Sequence, residues 1–233
     1  MRLDRFLTET TALTRSLAKK AMHREEVRVD GEVVKNPATQ VDERSVVTWN
    51  GERLALVGLR YVMLNKPSGV ECSARRGLYP LVRELIDLPH VERLQTVGRL
   101  DVDTTGLVLL TDDGQWSHRV TSPRRRCGKV YRVSLADPLV GDALAHAVTR
   151  FAEGIELEGE EKTTRPAELV MRSATEAELT LHEGKYHQVK RMFAAIGHHV
   201  EALHRESIGP LVLDERLAPG EWRELTEAEV AQF

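Results

Sequence analysis

Two carboxylates and an arginine crowd into one short segment, Gly98-Arg99-Leu100-Asp101-Val102-Asp103-Thr104-Thr105-Gly106, which runs into the apolar stretch 107–110 and then Thr111-Asp112-Asp113-Gly114. A loop leading into a buried strand is where a rigid scaffold presents a reactive group. An aspartate in such a place can serve as a nucleophile or as an acid and base, and a neighbouring arginine can lower its pKa or contact a phosphate. Acidic residues before a strand are also common turn and capping residues. Composition alone therefore leaves Asp101 between a chemical and a structural role. The histidines His187, His198, His199 and His204 have no acidic or cysteine partner at ligand spacing, so they read as surface or helix-end residues and no metal is expected. No glycine-rich phosphate loop or dinucleotide fingerprint occurs, so no cofactor is expected either.

The chain that must hold this segment has 233 residues, 41% hydrophobic and 30% charged, a balance that excludes disorder as its main state and is sufficient for a buried core. The formal net charge of −3 argues against a uniformly basic coat for nucleic acid. It conceals two basic patches. Arg2, Arg5, Arg15, Lys19, Lys20 and Arg24 face only Asp4 and Glu9 over residues 1–24, and Arg119, Arg124, Arg125, Arg126, Lys129 and Arg132 cluster over residues 115–132 without a carboxylate. The region after residue 197 is acidic instead. Cys72 and Cys127 are too few for a disulfide framework. With charges scattered through the first turns and no long apolar run, a cytoplasmic protein with no membrane contact is expected.

Leu3, Phe6 and Leu7 recur at helical spacing, and Thr14 is a plausible N-cap for a helix over 15–23. Val27–Val29 and Val33–Val34 flank Asp30-Gly31, a tight hairpin signal, and Val46–Trp49 continues as strand. Gly51–Leu59 reads as a linker with a final strand edge, which divides the chain into residues 1–58 and 59–233. Beyond it strands are expected at 61–65, 107–111, 129–136, 168–171, 178–182 and 208–213, and helices at 81–85, 114–120, 138–150 and 187–196. This irregular alternation predicts a mixed-sheet α+β domain.

Four stretches then carry a specific resemblance: Gly98-Arg99-Leu100-Asp101 with Asp103-Thr104-Thr105-Gly106-Leu107; Leu64-Asn65-Lys66-Pro67-Ser68-Gly69; Lys129-Val130-Tyr131; and 183–192, Glu-Gly-Lys-Tyr-His-Gln-Val-Lys-Arg-Met. Taken in chain order they resemble the RsuA family of bacterial pseudouridine synthases, and residues 1–58 resemble the small alpha-L RNA-binding domain that precedes the catalytic domain there. The segment 114–119 with Thr121-Ser122-Pro123 is more similar to the branch acting on 16S rRNA than to the large-subunit branch.

The resemblance implies Asp101 as the catalytic aspartate, Tyr131 as the aromatic that stacks on the target base and assists proton removal, and Lys190 as the basic residue paired with Asp101. It implies Arg99 as a contact to the flipped nucleotide or its phosphate, and Lys66, Pro67, Asp103 and Thr105 as support for the loop. Arg2, Arg5, Arg15, Lys19, Lys20, Arg124, Arg125, Arg126, Lys129 and Arg191 are the expected RNA contacts. Such a reaction needs a group held ionised near the sugar and ring, and a base taken out of its stack. It needs no thiol, so Cys127 is expected to be inert; Trp116 is left open between core and base platform. The expected function is isomerisation of a uridine to pseudouridine in 16S rRNA, with that rRNA or a small-subunit assembly intermediate as partner and the protein a monomer. The alternatives are a 23S rRNA synthase of the same family and a non-catalytic RNA-binding assembly factor; an unrelated carboxylate hydrolase would leave both basic patches unexplained.

Overall fold

Leu3, Phe6 and Leu7 are buried on one side of α1 (Leu3–Thr10), and Ala18, Ala21 and Met22 do the same for α2 (Arg15–His23). The Thr14 hydroxyl caps α2 by accepting from the Leu17 amide at 3.3 Å. The computed structural model describes residues 1–42, 44–55, 58–122 and 127–233. Arg124, Arg125 and Arg126 thus lie outside the described residues. Contacts divide the chain into two compact units, Met1–Leu59 and Arg60–Phe233.

In the first unit, β1 (Val27–Val29) and β2 (Glu32–Val33) are joined through Asp30 and Gly31, both with positive φ, the two-residue turn that suits strand twist. Asn50 and Gly51 repeat this device between β3 (Val47–Trp49) and β4 (Glu52–Leu54). The stretch read as a linker from Gly51 therefore begins with a strand, which Asn-Gly signals. The sheet order is β2-β1-β3-β4, and Val27 and Val47 join the helix residues in one apolar core.

The second unit is built on a mixed sheet, nine-stranded among the described residues. Its elements are β5 (Tyr61–Lys66), β6 (Gln95–Thr96), β7 (Thr105–Thr111), α3 (Gly114–Thr121), β8 (Lys129–Leu135), α4 (Gly141–Glu153), β9 (Glu168–Met171), β10 (Glu176–Leu181), α5 (Gln188–Ala194), β11 (Val200–Ile208), β12 (Leu211–Val212), β13 (Trp222–Glu224) and α6 (Glu227–Val230). The main path is β13-β5-β7-β11-β8-β10-β9, with β6 on β7 and β12 on β11. Continuous apolar runs in β5 and β7 mean burial on both faces. Val62, Leu64, Val108 and Leu110 join Phe151 of α4 and Phe193 of α5, while Met63, Leu107 and Leu109 join Trp116 and Val120 of α3. Trp116 is fully buried and donates its indole N–H to the Val230 carbonyl at 3.0 Å, so it belongs to the core.

Several expected elements shift. The strand placed at 208–213 is β11, eight residues earlier at its start, followed by the short β12. Irregularities at Val200/Ala202 and Arg205/Ser207, the second starting at a buried arginine, break the alternation that sequence reading relies on. The helix at 81–85 is a single 3₁₀ turn, Val82–Leu85. Among the described residues no helix is long and apolar enough to cross a membrane.

Candidate active site

β7 and β11 are parallel and meet at Gly106, whose φ of +101° and closeness to Arg205 both demand glycine. A Cβ there would stand 2.3 Å from the Arg205 carbonyl oxygen. This approach fixes the end of β7 from which residues 98–104 project. The Thr104 amide donates to the Asp101 carbonyl at 3.1 Å, closing a tight turn around Val102 and Asp103. The Gly69 amide donates to the Val102 carbonyl at 2.9 Å. Beneath the turn lies Lys66, fully buried, whose ammonium donates to the carbonyls of Pro67, Val102 and Thr104 at 3.0, 3.1 and 2.8 Å. Three carbonyl dipoles stand in for water around that charge; burial still pushes its pKa down. Lys66 thus touches the loop through two of these bonds, and Pro67 accepts the third. Thr105 Oγ1 lies 2.8 Å from His204 Nδ1, tying the start of β7 to β11.

Asp101, about 30% exposed, has His187 Nε2 at 3.4 Å and Lys190 Nζ at 4.0 Å. Lys190 thus reaches Asp101 as an ion pair at 4.0 Å, but its hydrogen bonds go to Asp103, both of whose carboxylate oxygens accept from Nζ at 2.7 Å. Asp103 is the more exposed carboxylate and offers both oxygens with little desolvation. The Lys190 ammonium, by that hydrogen bond first, holds Asp103 below the usual carboxylate range. Lys190 remains close enough to Asp101 to act on it electrostatically.

Asp101 opens onto a cleft of about 660 Å³ that also contains Arg99, Lys129, Tyr131, Arg165, His187, Lys190 and Arg205, with Leu100, Leu181, Val189 and Leu203 as apolar wall. Tyr131 is 8% exposed and projects from β8, opposite Arg205 of β11. Lys129 is half-buried, and burial, reinforced by Arg205, lowers its pKa. Arg99 is exposed.

Other expected RNA contacts are committed elsewhere. Arg191 donates to Glu160 and to the Tyr186 carbonyl, each at 3.0 Å, and to the Glu158 carbonyl, so it braces its own loop. Arg2 pairs with Asp4, and Arg5 with Glu9 at 2.6 Å. Arg15, Lys19 and Lys20 are exposed on α2.

Sequence reasoning missed Arg205, 2% exposed, whose Nε donates to the Leu107 carbonyl at 2.8 Å while one terminal nitrogen finds no partner. A buried arginine inside a strand next to a glycine-dependent crossing has no local signature. It also missed His187 beside Asp101; its place inside the recognised 183–192 stretch was the available signal. Among the described residues no three His, Cys, Asp or Glu side chains are placed to hold a metal.

A family model described as RNA pseudouridylate synthase matches residues 60–195, and an S4 domain model matches residues 1–47. The chain belongs to the RNA pseudouridylate synthase family. This synthase is 53% identical over 233 residues to the ribosomal small subunit pseudouridine synthase A of Vibrio cholerae serotype O1, covering 100% of the chain and 99% of that relative. Against the protein of the same name from Escherichia coli K12 the figures are 48% over 232 residues, with 99% of each covered. A pseudouridylate synthase solved by crystallography has a TM-score of 0.70 at 48% identity, with 99% of this chain and 98% of that one covered. The synthase is therefore an S4 domain followed by a pseudouridine synthase domain, as its sequence led one to expect.

Proposed function

We propose that this synthase isomerises one uridine of 16S rRNA to pseudouridine, with Asp101 as the catalytic group. The observation that carries the reading is the Asp101 carboxylate, set by a braced turn at the mouth of a cleft shared with Tyr131 and several cations, in a chain similar over its whole length to small-subunit enzymes. The reaction breaks the ribose C1′–N1 bond, turns the uracil and joins C1′ to C5; the C5 proton leaves and N1 gains one. Atoms and electrons balance without a redox partner. Asp101 serves it by attacking the ring, by attacking C1′ or by taking the ribose C2′ proton. His187 and Lys190 at 3.4 and 4.0 Å set the local field on that carboxylate. Tyr131 gives the extruded base a flat apolar surface, and Arg99 and Lys129 line the same cleft for phosphate contact.

The S4 domain supports RNA as partner, and Arg15, Lys19 and Lys20, exposed on α2, are the contacts this reading assigns to it. The finer reading is a cytoplasmic monomer acting on a small-subunit assembly intermediate. Pseudouridine mapping in rRNA from strains with and without the gene tests the proposal. One 16S position should lose its pseudouridine. Loss from 23S rRNA instead transfers the enzyme to the large-subunit branch, and no loss at any position refutes catalysis.

A further inference from the structure

Tyr186 is 75% exposed, and its ring stacks on the imidazole of His187 with centroids 3.8 Å apart and planes 19° apart. Both residues line the cleft that holds Asp101. The backbone beneath this exposed ring is held from several sides. Arg191 donates to the Tyr186 carbonyl at 3.0 Å, and the two Glu160 oxygens take Arg191 at 3.0 Å and Lys185 at 2.7 Å. Gln188 accepts from the Lys185 amide at 2.9 Å. His187 has a φ of +46°, a conformation that costs free energy for any residue with a Cβ. In that conformation its Nε2 stands 3.4 Å from the Asp101 carboxylate. A large aromatic ring displayed to solvent on a loop this firmly held gains little for the fold, because its area stays unburied. It is organised for a flat ligand.

We propose that the Tyr186–His187 stack is a second nucleobase site, whose open Tyr186 face takes an unpaired base adjoining the uridine that enters the cleft. The inference rests on the RNA-modifying reading above. Extruding one nucleotide leaves its neighbours without a stacking partner, and an aromatic surface beside the point of entry replaces the lost contact. Tyr131, 8% exposed, can receive only a base already inside, whereas Tyr186, 75% exposed on the same cleft, is open to a base that stays outside. Arg99 and Lys190 on the same cleft supply the charge that draws the strand there. Through His187 the platform reaches Asp101, so a correctly seated neighbour and the reacting carboxylate are positioned by one pair of rings.

The experiment uses the full chain and an rRNA fragment containing the mapped uridine, with 2-aminopurine placed in turn on its 5′ and 3′ sides. Wild-type protein should quench the fluorophore at one of the two positions. Tyr186→Phe should keep that quench and Tyr186→Ala should lose it, with KM for the fragment raised on the order of tenfold. An abasic site at the same position should erase the difference between wild type and Tyr186→Ala. An active wild-type enzyme whose quench and KM are indifferent to Tyr186→Ala overturns the platform while leaving the isomerase reading intact. A wild-type protein that binds the fragment but forms no pseudouridine overturns both.

Discussion

Replacing Asp101 with asparagine keeps the shape of the side chain and removes its charge, and the structure sets the expected cost. The partners lost are the His187 imidazole at 3.4 Å and the Lys190 ammonium at 4.0 Å, at a side chain about 30% exposed. Ion pairs with that much solvent contribute ~0.2–1 kcal/mol each. Lys190 keeps both Asp103 oxygens at 2.7 Å, so no cation is stranded. The bond that closes the turn is accepted by the Asp101 main-chain carbonyl and survives. The stability loss should be about 1 kcal/mol or less, a Tm shift of about 2–4 °C for a chain of this length. The amide is neither a useful nucleophile nor a base at neutral pH, so single-turnover pseudouridine formation should fall by at least about 10³-fold. RNA affinity, which rests on dispersed cations, should hold or tighten. Thermal melting, filter binding and timed pseudouridine assays on the same preparations read the three quantities. Normal rates from Asp101→Asn alongside an inactive Asp103→Asn would exchange the roles of the two carboxylates. A Tm drop of roughly 10 °C or more would refute the view that the turn does not depend on this charge.

Gly106→Ala should destabilise the protein by at least about 3 kcal/mol, since its Cβ would meet the Arg205 backbone at 2.3 Å and φ is +101°; a urea midpoint like the wild type's would refute the close crossing. Arg223 donates to Glu229 and Asp214, and its hydrogen bond holds Glu229 down at about 2. A carboxylate whose folded pKa lies below its unfolded one stabilises above about pH 4.5, and that stability is lost as pH falls toward 2. Arg223→Met should flatten this acid limb, and urea midpoints from pH 6 to 2 would expose an unchanged limb. Neutralising Arg15, Lys19 and Lys20 together should lower the salt slope of rRNA binding by roughly 2–3, with a smaller effect from Arg2 and Arg5, which are already paired with Asp4 and Glu9. Equal effects from the two sets would refute that ranking.

What could be read in advance followed local rules. The unbroken run 107–110 announced a strand buried on both faces, Thr14 announced a helix start, and residues 98–107 announced the site loop. Each depends on neighbours within a few positions. What could not be read depends on distant partners. Nothing in residues 101–103 says which of two carboxylates the Lys190 ammonium will reach, because the answer is set by how α5 meets the loop. Arg205 looks like an ordinary polar position in a strand, yet it is buried because Gly106 lets β7 come close. Arg191 looks like a phosphate contact until Glu160, more than thirty residues earlier, is seen to accept from it. β4 is of another kind, since Asn50-Gly51 before it is a purely local hairpin signal.

The crossing of β7 and β11 joins Leu107 to a side chain 98 residues later, Arg205. Among the described residues three strands and three helices lie between them. Closing a loop of that size costs about 2 kcal/mol more than closing one of ten residues, and at ordinary translation rates the second strand leaves the ribosome roughly 5–20 s after the first. The S4 domain has no such wait, because its strands and helices meet their partners within the first 59 residues. In the life of each new molecule, then, the S4 unit can close its own contacts well before the floor under Asp101 has been laid, and the order of synthesis separates the two.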